Sequence, residues 1–319
     1  MPNDNGAPAV LPNPVKSAGL EPGVQQAADF WNNQRMRVAR SRFWQWPRII
    51  AFQNELICGE RLPKWNAGTI ARLRQYSSGR KFPRGISIAC GAAGKEMEFL
   101  KQGVVDRFDF FEISTTRIAQ GQAYYQKEGL ADRVQWHVAD GVAHLENGAR
   151  YDLSFWDSAL HHMLDTPRAV HASVASLNPG GAFVMNDFIG PSRFQWNDQQ
   201  LHYASLVRRG LPDAYLRNPH NPGKRLPTEL TRPNLEAFIA TDPSEAADSD
   251  RILPALKYYL SEPKIWYLGG TIYHLALSDV LANLDPVDDA GLLETLLVLE
   301  GALIELGENH FAVCIAFKS

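Results

Sequence analysis

The chain has 319 residues, 45% of them hydrophobic and 21% charged, with a formal net charge of −3 at pH 7. That length suits one large α/β domain with additions, or two domains. The small net charge and the lack of any basic run argue against a nucleic-acid partner, and no apolar run is long enough to span a bilayer. Cys58, Cys90 and Cys314 are odd in number, scattered and set among apolar residues. They read as reduced, buried thiols, with no spacing that suggests zinc. Met1–Leu20 lacks the charged start and apolar centre of a signal peptide, so a cytoplasmic setting without membrane contact is expected.

Residues 1–23 are rich in Pro, Gly, Ala and Asn and read as a flexible tail. Residues 24–80 turn helical and aromatic, with Phe30, Trp31, Phe43, Trp44, Trp46 and Phe52 among Arg and Gln, and read as an N-terminal helical lid. From residue 81 to 190 strand and helix signals alternate. The strands are expected at Ile86–Cys90, Phe108–Ile113, Val134–Asp140, Tyr151–Trp156 and Gly181–Phe188. Helices are expected at Lys95–Gln102, Arg117–Gly129 and Arg168–Leu177. This β-α-β-α rhythm implies a parallel sheet covered on both faces. Residues 191–262 carry many prolines, and their short helical pieces read as a cap inserted over the sheet. Residues 263–319 complete the sheet. They hold a strand at Lys264–Tyr267 ended by Gly269-Gly270, helices Ile272–Asn283 and Leu292–Leu306, and a last strand His310–Phe317.

The segment Ile86-Ser87-Ile88-Ala89-Cys90-Gly91-Ala92-Ala93-Gly94-Lys95-Glu96 delivers a strand into a loop of small residues that opens a helix. Gly91 and Gly94 let the backbone turn sharply and approach a ligand, as happens where open α/β sheets bind nucleotides. A tight turn with no ligand explains the loop equally well. Glu112, at the end of the second strand, adds weight, because a carboxylate about 20 residues past such a loop can accept ribose hydroxyls. The full dinucleotide pattern G-x-G-x-x-G is missing, since its middle glycine is replaced by Ala92 or Ala93. The loop therefore suits a nucleoside without a pyrophosphate.

With these residues in order, Ile86 to Phe188 resembles the class I S-adenosylmethionine-dependent methyltransferases. The resemblance implies a Rossmann-like seven-stranded, mostly parallel sheet with helices on both faces and helical lid insertions. It implies that Cys90, Gly91, Ala92 and Gly94 line the methionine part of S-adenosylmethionine. Glu112 with Ile113 then holds the ribose, and Asp140 with Gly141 faces the adenine. Asp157, in the turn that runs to Ala159-Leu160-His161-His162, completes the cofactor set. Asn178-Pro179-Gly180-Gly181 before the fifth strand is a weaker match.

Methyl transfer requires alignment, exclusion of water and, for a hydroxyl acceptor, removal of a proton. His161 and His162 are candidate bases, against the plainer reading that both are structural. Asp187 is a candidate to hold substrate or a helix N-terminus. Mg²⁺ on Asp157, Asn186 and Asp187 is a less favoured alternative, so no metal is assigned. Arg193, Trp196 and Tyr203 are candidates to line the acceptor pocket, against a reading as lid core. The expected activity is O-methylation of a small molecule or glycan hydroxyl. N-methylation and a methyltransferase-like binding protein without catalysis are the rivals.

Overall fold

The computed structural model describes residues 30–32 and 39–319. The expected tail at 1–23 and part of the aromatic N-terminal segment lie outside the described residues. Seven strands form one sheet: β1 (Phe82–Ile88), β2 (Val105–Phe111), β3 (Val134–His137), β4 (Tyr151–Asp157), β5 (Leu177–Phe188), β6 (Lys264–Gly269) and β7 (Phe311–Phe317). Their order is β3-β2-β1-β4-β5-β7-β6. All pairings through β5 are parallel, and β7 runs antiparallel to both β5 and β6.

Strand alternation builds two cores, one on each face. In β5, Phe183 and Met185 join Ile86, Ile88, Cys314 and the helices Thr166–Ser176 and Ile252–Tyr259. Ala182 and Val184 point the other way and join Phe108, Phe110, Phe155, Val313 and Ile315. Successive side chains of a strand point to opposite faces, so each buried strand feeds both cores.

Of the N-terminal segment, Phe30, Trp31, Arg42, Phe43, Trp44 and Trp65 border the main cavity, but its two helices pack elsewhere. The helices Pro47–Cys58 and Ala67–Tyr76 do not lie over the site as a lid. Their Ile57, Ile70 and Leu73 belong to the sheet's own core. A third core joins Phe43, Trp46, Ile49 and Phe52 to Ile272, Tyr273, Leu293 and Leu297 near the C-terminal end. The expected helix Ile272–Asn283 is also broken. It becomes a π-helical turn at Thr271–Ala276 and a 3₁₀ turn at Val280–Asn283. Among the described residues no helix is long and apolar enough to cross a membrane, and Cys58, Cys90 and Cys314 are free thiols.

The interruption falls at Leu277–Asp279, where Asp279 is left-handed (φ 64°), and a buried carboxylate caps the π-helical turn before it. Glu300, on helix Ala290–Glu305, is 0% exposed and accepts the amides of Gly270 and Thr271 on one oxygen and of Ile272 and Tyr273 on the other, at 2.7–3.1 Å. A charged acceptor at a helical N-terminus meets both its unpaired N–H groups and its dipole. Gly269 (φ 76°) is required there, because a Cβ at that position would stand 2.5 Å from the Glu300 carboxylate.

Candidate active site

A cavity of about 1300 Å³ opens at the carboxyl ends of β1, β2 and β4. Its first half is the glycine bend. After β1 the chain turns through Ala89, Gly91 and Ala93, all with positive φ (52°, 59° and 50°). Glycine adopts this conformation freely, whereas each alanine stores roughly 1 kcal/mol. Such strain tends to collect at functional sites. The bend is pinned from below by the Tyr125 hydroxyl, which donates to the Ala93 carbonyl at 2.7 Å. Gly121 allows helix Thr115–Lys127 to approach, since a Cβ there would meet the Trp136 ring and the Ala92 carbonyl. At Gly91 and Gly94 the opposite holds. A Cβ on either meets nothing within 4 Å, so both border open space.

Glu112 ties the bend to the second strand. One carboxylate oxygen accepts the Gly91 amide at 2.7 Å and the other the Ser114 amide at 2.8 Å. Each oxygen keeps a further lone pair for a hydroxyl. Burial pushes the Glu112 carboxyl up, opposed by those two amides. Asp140 caps helix Gly141–Glu146 by accepting the Val142 and Ala143 amides. Cys90, Gly91, Ala92, Gly94, Glu112, Ile113, Asp140 and Gly141 all line the cavity.

Asp157 is a correction. It does not line the cavity. Its carboxylate accepts Trp65 Nε1 (2.8 Å) and Asn66 Nδ2 (2.6 Å), and pairs with Lys95 Nζ at 3.0 Å. Asn186 in turn donates to Asn66 at 3.0 Å. The polar tips of β4 and β5 are therefore bound up with residues 65 and 66, which no sequence pattern connected to them. Lys95 borders the cavity and also donates to the Asp157 carbonyl at 2.8 Å.

The second half of the cavity is a chamber walled by Phe43, Trp65, Phe188, Phe194, Phe238, His274 and Phe311. His161 and His162 enter it from the 3₁₀ turn Leu160–His162 after β4. Asp187 also needs correcting as a catalytic candidate, because it is 1% exposed and stands behind the chamber. It accepts the Ala159, Leu160 and Phe188 amides at 2.7–2.8 Å and lies 2.5 Å from His161 Nδ1. Asp187 thus positions His161 through its ring. Burial alone would lower the His161 pKa, but the charge and hydrogen bond of Asp187, with Glu245, outweigh it and hold the ring above its usual range. Asp187 is itself held low against burial by His161 and the Ala159 and Leu160 amides.

None of the three acceptor-pocket candidates lines the cavity. Trp196 is 3% exposed in a small core with Phe188 and Ala246, stacked on Phe194. Tyr203 bonds Gln199 on its own helix at 2.8 Å. Arg193 donates to the carbonyls of Pro243 (2.7 Å) and Glu245 (3.2 Å) and so clamps the turn at residues 241–245, which does form part of the wall. Packing, not residue type, decides which aromatic residues face the chamber.

The strand order, the single reversed β7 and the cleft beside the glycine bend define the class I S-adenosylmethionine-dependent methyltransferase fold. No family model matches the chain. Among solved structures it resembles geranyl diphosphate C-methyltransferase from Streptomyces coelicolor A3(2), crystallised with Mg²⁺, geranyl-S-thiolodiphosphate and S-adenosyl-L-homocysteine. The identity is 14%, the match covers 95% of this chain and 100% of that one, and the TM-score is 0.53. A geranyl diphosphate methyltransferase in complex with GPP and sinefungin matches at 14% identity over 93% of this chain and 100% of that one, with a TM-score of 0.52. At such identity the likeness establishes the fold, and the activity has to be argued from the site.

Proposed function

We propose that this protein is an S-adenosylmethionine-dependent methyltransferase acting on an oxygen of a small, largely apolar or aromatic acceptor. The observation that carries this reading is one continuous cavity. It joins the glycine bend and the Glu112 and Asp140 strand tips to an aromatic chamber holding His161 and His162. The residues fit the cofactor: the open faces of Gly91 and Gly94 leave room for its methionine arm, Glu112 retains acceptor capacity for its ribose, and Asp140 stands at the third strand. When bound, S-adenosylmethionine supplies a methyl group activated by the sulfonium charge.

The chain's own residues do the remaining work. The aromatic walls desolvate and orient the acceptor. In its neutral form His161 keeps its proton on Nδ1, toward Asp187, and the Asp187 charge makes the ring a stronger base than a free imidazole. Such a base, once deprotonated, suits a nucleophile whose O–H must be loosened. A neutral amine needs no such help, so N-methylation fits the chamber less well.

The ring-rich wall favours a second reading, methylation at carbon, because aromatic faces stabilise a developing cation. The crystallised geranyl diphosphate C-methyltransferase makes geranyl diphosphate the acceptor to try first for it. Calorimetry with S-adenosylhomocysteine tests the shared core of both readings. Binding that is lost in Glu112→Ala supports them. Absence of heat and of any thermal shift removes both and leaves a binding protein of another kind.

A further inference from the structure

His161, His162 and Glu245 converge on the wall of the chamber. One potential ligand atom from each lies within 4.8 Å of the others. The His161 Nε2 to Glu245 Oε1 distance is 3.6 Å. That is long for a hydrogen bond. It is close to the roughly 3.4 Å between two donors that share one tetrahedral ion at about 2.1 Å.

The tautomers are set for ligation. The Nδ1–H of His161 donates to the Asp187 carboxylate. The Ser244 hydroxyl gives its one hydrogen to Asp242 (2.7 Å), so its oxygen, 3.2 Å from His162 Nδ1, receives the proton of that ring. When neutral, as a metal ion requires, both imidazoles thus carry their lone pair on Nε2, each backed by a carboxylate, one directly and one through a serine. This is the outer-shell arrangement typical of metal-binding histidines. Glu245 is held in place independently. Arg193 clamps its carbonyl, and the Ala247 amide donates to the His161 carbonyl at 3.1 Å.

We propose that His161, His162 and Glu245 form a site for one divalent transition-metal ion, such as Zn²⁺, Mn²⁺ or Co²⁺, with its open coordination positions facing the aromatic chamber. Two imidazoles and one carboxylate suit such ions better than Mg²⁺, which prefers oxygen ligands throughout. Three protein ligands leave at least one position free, as catalytic metal sites do. An acceptor bearing two neighbouring oxygens, a catechol or a hydroxy-ketone, is the class that would occupy such positions. The ion's role toward the acceptor rests on the methyltransferase reading, but its binding does not.

The test uses untagged full-length protein stripped with a chelator and titrated with Co²⁺. The expected result is visible d–d absorption of a four- or five-coordinate ion that saturates at one Co²⁺ per chain. Glu245→Gln and His162→Gln should each weaken binding by about tenfold or more, with circular dichroism unchanged and the thermal shift with S-adenosylhomocysteine retained. Absence of the bands, or bands undiminished in both variants, overturns the site. Cobalt binding as described with no response to S-adenosylhomocysteine leaves the metal site standing and removes the methyltransferase reading instead.

Discussion

Glu96 lies beneath the glycine bend and links the cofactor seat to pH. It is 1% exposed, and one oxygen accepts the Ser87 hydroxyl at 2.7 Å. The other has no partner among the described residues. Burial raises its pKa from 4.5 to about 7. The Ser87 bond and Lys95 oppose that rise, and Asp157 adds to it. Cys90 and Tyr125 also face it, and both stay protonated, their own values raised first by burial. The folded state thus prefers the neutral acid. Below about pH 4.5 both folded and unfolded chains hold the proton and stability is complete. Between 4.5 and about 7 the unfolded chain binds fewer protons, so stability falls as pH rises. Above about 7 both are ionised and the loss is finished. At about 1.4 kcal/mol per pH unit the loss is about 3 kcal/mol. Glu96→Gln keeps the shape and the Ser87 bond but cannot ionise. Urea unfolding of both proteins from pH 4.5 to 8.5 isolates the effect as a difference. The wild type should lose about 3 kcal/mol relative to the variant across that range, most of it between pH 5 and 7. A difference that stays constant with pH would refute the assignment of Glu96 as a buried neutral acid.

Other consequences can be checked in the same preparations. Gly94 has no positive φ and no neighbour to clash with. Gly94→Leu should therefore leave stability within about 0.5 kcal/mol while weakening S-adenosylhomocysteine by about tenfold or more in calorimetry; equal affinity would remove the bend from the cofactor seat. Asp187→Asn takes the charge from beside His161 and places an amide donor among three backbone donors, so chemical denaturation should show a loss of about 3–5 kcal/mol. Glu300→Gln leaves some of four buried amides without an acceptor and should lower stability by about 2–4 kcal/mol. A change below 0.5 kcal/mol would mean that these amides find other partners. Trp196→Ala should destabilise by about 3–5 kcal/mol through loss of core packing. It should leave S-adenosylhomocysteine affinity near that of the wild type, since Trp196 does not line the cavity.

Sequence by itself determined the sheet and the bend with its acidic strand tips, because both are local. A run such as Ile86–Ile88 must be a buried strand. The run of small residues from Ala89 to Gly94 lets the backbone bend, with positive φ at Ala89, Gly91 and Ala93, and an acidic residue at each strand tip follows its strand. Segment limits shifted by a few residues, but Glu112 and Asp140 still stand on the cavity wall. The chamber was decided by tertiary structure. Asp187 and Asp157 look alike as strand-tip carboxylates, yet one positions a histidine and the other anchors Trp65 and Asn66. Glu245 lies in a proline-bounded turn with no pattern of its own. It reaches His161 only because Arg193 and Ala247 tie that turn down. Periodicity and spacing record which face a residue shows to its own element. Which distant side chains meet across the cavity depends on how separate elements pack, and one segment read in isolation does not carry that information.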